Sequence, residues 1–149
     1  MCLTIETLAI QTPDKILHFA PEASVSQKVK QYHPETYIGA DKMNNEGRDA
    51  GMTIQQISAE NIPYPQSEFT GIIASHIMEH VDDDVECIKS FYRVLQPRGW
   101  IMLLIPIFNH LLDGHDPHDF GQSDHKRLYQ PTEVMHKMGS NNFNCTSLY

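Results

Sequence analysis

The stretch that most constrains this chain is Lys15–Glu22, KILHFAPE. It is an apolar run (Ile16, Leu17, Phe19, Ala20), then a proline, then a carboxylate. Ala23–Tyr32, ASVSQKVKQY, follows and reads as a helix. An apolar strand, a tight break and a helix open an α/β unit in which a ligand rests over the strand's C-terminal end. A second short strand, Thr36–Ala40, ends in Asp41. An acidic side chain at that point is placed to hydrogen-bond both hydroxyls of a ribose. The glycine fingerprint of such units is missing, because Pro21 and Glu22 stand where glycines usually do. Periodicity alone therefore fits a ligand-binding unit and an ordinary α/β core equally well.

The rest of the chain continues the alternation. Met1–Gln11 reads as a short helix that Thr12-Pro13-Asp14 breaks. The helix after strand one ends near His33-Pro34, since the residue before a proline avoids the helical region. Lys42–Gly51 reads as a polar loop, Thr53–Ile57 as a short strand and Ser58–Phe69 as irregular. Thr70–Ser75, TGIIAS, is a compact buried strand. Val85–Leu95 is the clearest helix: Val85, Ile88, Tyr92 and Leu95 fall at helical spacing, and Asp82, Asp83 and Asp84 sit where capping and the dipole favour acids. Gln96-Pro97-Arg98-Gly99 reads as a turn. Trp100–Ile107, WIMLLIPI, is the most apolar run and has the pattern of a central parallel strand. Phe108–Leu128 is a long loop rich in His and Asp. Gln130–Met138 is a helix that opens at Pro131 and stops at Gly139, and Phe143–Tyr149 is a last strand. Buried strands alternating with helices predict an α/β, doubly wound, mostly parallel sheet with helices on both faces, in one domain over 1–149.

Charge and cysteines narrow the class. The net charge is −8 with no basic cluster, which argues against nucleic acid as a partner. Cys2, Cys87 and Cys145 are scattered, without the spacing of a disulfide framework or a zinc knuckle, so a cytoplasmic location is expected. The sequence contains no 18-residue apolar run and no leader pattern, so neither a membrane span nor secretion is expected.

The pieces ILHFAPE (16–22), YIGADKM (37–43), SAENIPYPQSEFTGIIASHIMEHVDDD (58–84), SFYRVLQPRGWIMLLIPI (90–107) and FGQSDHKRLY (120–129) occur in order. With them the chain resembles a class I S-adenosylmethionine-dependent methyltransferase. Within that class it is similar to the type 11 branch related to ubiquinone/menaquinone biosynthesis, with LHFAPE as an unusual first motif. The resemblance implies S-adenosylmethionine as cofactor and methyl transfer to a small-molecule acceptor. Phe19, Ala20, Pro21 and Glu22 would form the turn under the cofactor's methionine part, with Glu22 facing its ammonium. Asp41 would hold the ribose, Lys42 and Met43 would flank the adenine, and Ala59 and Glu60 would meet its edge. Ser75 and His76 would line the cofactor from the end of the fourth strand. His76, Glu79 and His80 would look toward the transferred methyl.

Methyl transfer draws its rate from in-line positioning, and a general base is needed only where the acceptor must lose a proton. His76 and His80 are the candidates for that base. The competing reading is that Glu79 and His80 merely cap and orient the turn before the Asp82 helix. His110, Asp113, His115, Asp116, His118, Asp119 and His125 are dense enough to suggest metal, yet no pair lies at a firm helical spacing. The stretch reads instead as a substrate-covering or solvated loop, and no metal ligand is assigned. His125, Lys126, Arg127 and Tyr129 are candidate contacts to an anionic part of the substrate, with a surface role the alternative.

Ser58 stands where many relatives of that branch carry an Asp for the adenine amino group. The family's sheet usually has seven strands and more chain before the first, so the chain reads as shortened at both ends, with an incomplete C-terminal hairpin. The alternative functions are thus a non-catalytic S-adenosylmethionine-binding or partner-binding module of the same fold and, further off, a metal-dependent hydrolase using the His110–His125 loop. A bare apolar strand edge at Trp100–Ile107 also suggests a homodimer through that end of the sheet.

Overall fold

In the computed structural model, which describes residues 14–32, 36–43, 54–107 and 125–145, the chain runs β1 (Ile16–Phe19), α1 (Ala23–Tyr32), β2 (Tyr37–Asp41), β3 (Ile54–Gln56), β4 (Phe69–Ser75), α2 (Asp84–Val94), β5 (Leu95–Leu104) and α3 (Pro131–Ser140). The strands form a sheet in the order β3-β2-β1-β4-β5, and every pairing is parallel. The KILHFAPE strand lies at the centre and is buried along its whole length. From it the chain steps outward to β2 and β3, then returns past β1 to β4 and β5. The direction of winding therefore reverses between β1 and β4.

Side chains alternate across a strand, so successive residues serve opposite faces. On one face Ile16 and Ile73 pack with Val29 of α1, joined by Val25, Tyr37, Trp100 and Met102. On the other, Leu17, Phe19, Ala40, Ile72 and Ala74 pack with Cys87, Ile88, Phe91 and Val94 of α2 and Met138 of α3. Cys87 and Ile88 lie four and three positions before Phe91, and Val94 three after it, so they make one apolar stripe. Burying Ile88 or Phe91 completely is worth about 1.5–3 kcal/mol each. Asp83 caps α2, its carboxylate accepting from the Val85 and Glu86 N–H groups at 3.0 Å. The expected helices on both faces of a parallel sheet are thus present.

The WIMLL run lies in β5, which among the described residues pairs with β4. Its apolarity records two covered faces, Trp100 and Met102 on the α1 side and Ile101 and Leu103 on the α2 side. Two expectations are corrected. Gln96–Gly99 is not a separate turn but an excursion within β5: Phe69 pairs with Leu95 and Gly71 with Trp100, with Arg98 at φ 68° between them. Gly139 does not stop α3, which runs to Ser140. At Gly71 any Cβ would overlap the Trp100 indole, so this indole position beside the paired β4 and β5 requires a residue without one.

Phe143–Cys145 forms no strand, and 146–149 lie outside the described residues, as do the expected Met1–Gln11 helix and most of the Lys42–Gly51 and Phe108–Leu128 loops. Among the described residues no helix is long and apolar enough to cross a membrane.

Candidate functional site

In open α/β sheets, ligands settle outside the carboxyl ends of the strands where the winding reverses. Here that place lies between β1 and β4, whose ends are in register at Phe19 and Ala74. The residues just beyond the two strands, Ala20 and His76, both hold left-handed backbone, at φ 46° and 54°. Side chains other than glycine pay of order 1 kcal/mol or more for that conformation, and such strain gathers at ligand sites. Ala20 is pinned by its N–H to Ala40 and His76 by its N–H to Leu104. Ala20, just ahead of Pro21 and Glu22, thus takes up a backbone conformation that glycine usually supplies.

Glu22 opens α1, exposed, and its carboxylate spans the crevice to accept the Ser75 hydroxyl at 2.9 Å. Pro21 is buried beside it. Asp41 ends β2 next to Ala40, its carboxylate accepting the Met43 N–H at 2.9 Å. Met43 itself is exposed, an apolar side chain left at the rim. The sheet therefore brings Ala20, Pro21, Glu22, Asp41, Met43, Ser75 and His76 to one edge.

The other expected contact residues have neighbours within the chain. The Phe19 ring is core, 5.7 Å from Phe91. Ala59 is buried. The Glu60 carboxylate accepts the Asp83 N–H at 2.7 Å and faces Lys42 at 3.5 Å, which ties the 58–61 loop to the start of α2. Lys42 also pairs with Asp82 at 3.5 Å.

Beyond His76 the chain turns through Ile77–Val81, and the 125–129 segment folds onto this turn. Arg127 donates to the carbonyls of Val81 and Asp82 at 2.8 Å each, and more distantly to Met78. Tyr129 is buried, and its hydroxyl donates to Asp84 at 2.9 Å. Arg127 and Tyr129, expected to contact substrate, here hold the segment down on the turn. Lys137 completes the knot by pairing with Asp84 at 2.6 Å. Burial pushes the Asp84 carboxyl up, but the Lys137 ammonium and the Tyr129 hydroxyl outweigh it and hold it below its ordinary value. Burial, then Asp84, pushes the Tyr129 hydroxyl up.

The clamp carries His125 to the turn. Its ring is buried and lies 4.8 Å from that of His80. Glu79 is fully buried and takes His76 Nδ1 at 3.1 Å on one carboxylate oxygen. Glu79 and His80 do not cap the following helix, since Asp83 does. In the sequence Glu79 and His80 lie at the expected site and His125 lies some 45 positions on, with nothing local to join the three. The paired acid and imidazole of Glu79-His80 inside a non-helical turn were the signal available.

A family profile described as a methyltransferase domain matches residues 23–103. The ubiquinone/menaquinone biosynthesis C-methyltransferase UbiE of Vibrio vulnificus is 30% identical over 86 residues, 56% of this chain and 33% of its own length. That of Haemophilus ducreyi is 33% identical over 75 residues, 48% of this chain and 29% of its own. The chain thus spans about a third of the curated relatives it matches. Among solved structures, the YcgJ protein of Bacillus subtilis superposes with a TM-score of 0.75 at 20% identity, covering 91% of this chain and 64% of that one. A SAM-dependent methyltransferase from Archaeoglobus fulgidus gives 0.75 at 14% identity, covering 93% and 65%. At these identities the structural likeness speaks to the fold alone.

Proposed function

The chain belongs to the methyltransferase domain family, and from that premise we propose that it binds S-adenosylmethionine over the β1–β4 crevice and transfers the methyl group to a small-molecule acceptor. The observation that carries the reading is the convergence of Asp41, Glu22, Ser75 and His76 on one sheet edge at the winding reversal. The donor set suits the cofactor. A carboxylate at the end of β2 matches two ribose hydroxyls, and a second, steadied by Ser75, matches an ammonium. Ala20, in left-handed backbone, lets the main chain approach the ligand closely, and exposed Met43 offers an apolar surface to a purine.

Bound S-adenosylmethionine supplies an electrophilic methyl group that needs no further activation. The chain's part is to orient the partners, exclude water and, where the acceptor must lose a proton, receive it. His76 suits that last task. Its Nδ1 meets a buried carboxylate oxygen, which fixes the proton on Nδ1 and leaves Nε2 as the acceptor nitrogen. His80 is the second candidate. The acidic balance of the chain and the absence of a basic patch support a small acceptor over nucleic acid, and buried Cys87 suits a reducing cytoplasm.

Calorimetry of the full chain with S-adenosylmethionine and S-adenosylhomocysteine tests this. We expect binding of both, and a loss of about 1–3 kcal/mol in Asp41→Ala, which leaves ribose hydroxyls unpaired. No binding to the wild type, or an unchanged affinity in the variant, overturns the reading. Once an acceptor is found, full turnover in both His76→Ala and His80→Ala removes the base assignment.

The β5 edge also favours pairing of two copies, since it meets no second strand among the described residues. Light scattering at micromolar concentration checks it, and a species of about 17.0 kDa alone refutes it.

A further inference from the structure

We propose that Glu79, His80 and His125 form a binding site for one divalent transition-metal ion of the zinc class. The site goes beyond the methyl-transfer reading and stands or falls without it. One ligand atom from each residue can be chosen so that all three lie within 4.8 Å of one another. Two imidazoles and a carboxylate are the donor set that such ions take, and three protein ligands leave a position open for water or a substrate oxygen. Ligands at about 2.1 Å in a tetrahedron sit about 3.4 Å apart, so the present spacing is an open form that a modest inward shift closes.

The second observation is independent of that spacing. Glu79 is 0% exposed, and its Oε2 has no partner; His125 is 5% exposed, and neither ring nitrogen has one. Buried polar atoms without partners are costly and rare, and they call for an unseen ligand. A single cation answers Glu79 Oε2 and one His125 nitrogen together. The surroundings are those of a supported site. Glu79 Oε1 is already steadied by His76 Nδ1, and the Glu79 carbonyl accepts the Lys126 N–H at 2.8 Å, next to His125. Neighbouring partners of this kind fix ligand orientation. The assignment gives His80 to the metal and leaves His76 as the proton acceptor. It departs from the sequence reading, which assigned no metal ligand, and it uses only His125 of the His/Asp-rich stretch.

The test titrates the chelator-treated full chain with zinc, cobalt(II) and magnesium. We expect zinc at one equivalent with micromolar or tighter affinity, a cobalt(II) visible spectrum without a thiolate charge-transfer band, and no response to magnesium. Glu79→Gln and His125→Asn should each weaken zinc about 100-fold or more. His80→Asn, at a half-buried position, should weaken it at least about tenfold without loss of fold by circular dichroism. His136→Asn, on exposed α3, should change nothing. Zinc should also raise the wild-type melting temperature by several degrees. Absence of one-to-one binding to the wild type overturns the proposal. So does zinc affinity unchanged in His80→Asn and Glu79→Gln, which would place the ion elsewhere. S-adenosylmethionine binding measured in chelator reports on the methyl-transfer reading separately.

Discussion

The segments Met78–Asp84 and His125–Tyr129 meet at two places, and the two meetings differ. At one, polar groups are spent on one another: Arg127 on the carbonyls of Val81 and Asp82, Tyr129 and Lys137 on Asp84, and Lys126 on Asp82. At the other, a few residues away, Glu79 Oε2 and both nitrogens of His125 are buried without a partner. The same two stretches of chain take part in both, so the missing partner at Glu79 Oε2 is not a general failure of these segments to match their polar groups. The contrast separates a fastening from a receptacle. The first holds the fold; the second is kept open for something else.

The largest expected effect breaks the fastening. Asp84→Ala leaves a buried tyrosine hydroxyl and a half-buried ammonium without their acceptor, and should cost about 3–4 kcal/mol of stability by urea denaturation. A loss below about 1 kcal/mol would mean that the knot is ornamental. Because its folded pKa is depressed, Asp84 contributes stability above its ordinary 3.8 and loses it as pH falls through the folded value.

His18 sharpens the comparison as a buried group that is half satisfied. Its Nδ1 meets the Tyr37 hydroxyl at 2.9 Å, its Nε2 meets nothing, and burial lowers its pKa from 6.5 to about 4. Above pH 6.5 both states hold it neutral. As pH falls toward about 4, the unfolded chain binds a proton that the folded chain refuses, so stability should decline by up to about 3 kcal/mol. Denaturation curves at several pH values check this, and a decline equally steep in His18→Gln would assign the effect to other groups.

The smallest effect belongs to the receptacle. Glu79→Gln in metal-free protein should change stability by less than about 1 kcal/mol, because it replaces a buried carboxylate that lacks one partner with a neutral group of the same shape. A loss as large as that of Asp84→Ala would make the two meetings alike and remove the distinction between them.

Much of the sheet was legible because its signals are local. The bounds of α1 follow from the break at Pro21 and from Pro34, and α2 follows from three acids ahead of an apolar stripe. Asp41 and Ser75 end β2 and β4, and Glu22 and His76 follow β1 and β4, positions that a strand's local pattern makes readable. What local signals do not carry is long-range. Apolarity on both faces of 100–104 reports that both are covered, and it does not say which strands lie alongside. Arg127 and Tyr129 turned inward to carbonyls and a carboxylate some 45 positions earlier in the chain, which no local pattern announces. The convergence of Glu79, His80 and His125 was hidden for the same reason.

Trp100 is the single tryptophan of the chain, and it lies flat where Gly71 leaves room for it. Its near-ultraviolet excitation is therefore a clean optical window on one event, the docking of β5 onto β4. Emission recorded during refolding would time the closing of that side of the sheet with no label attached, and a quencher added in solution would gauge how often it reopens.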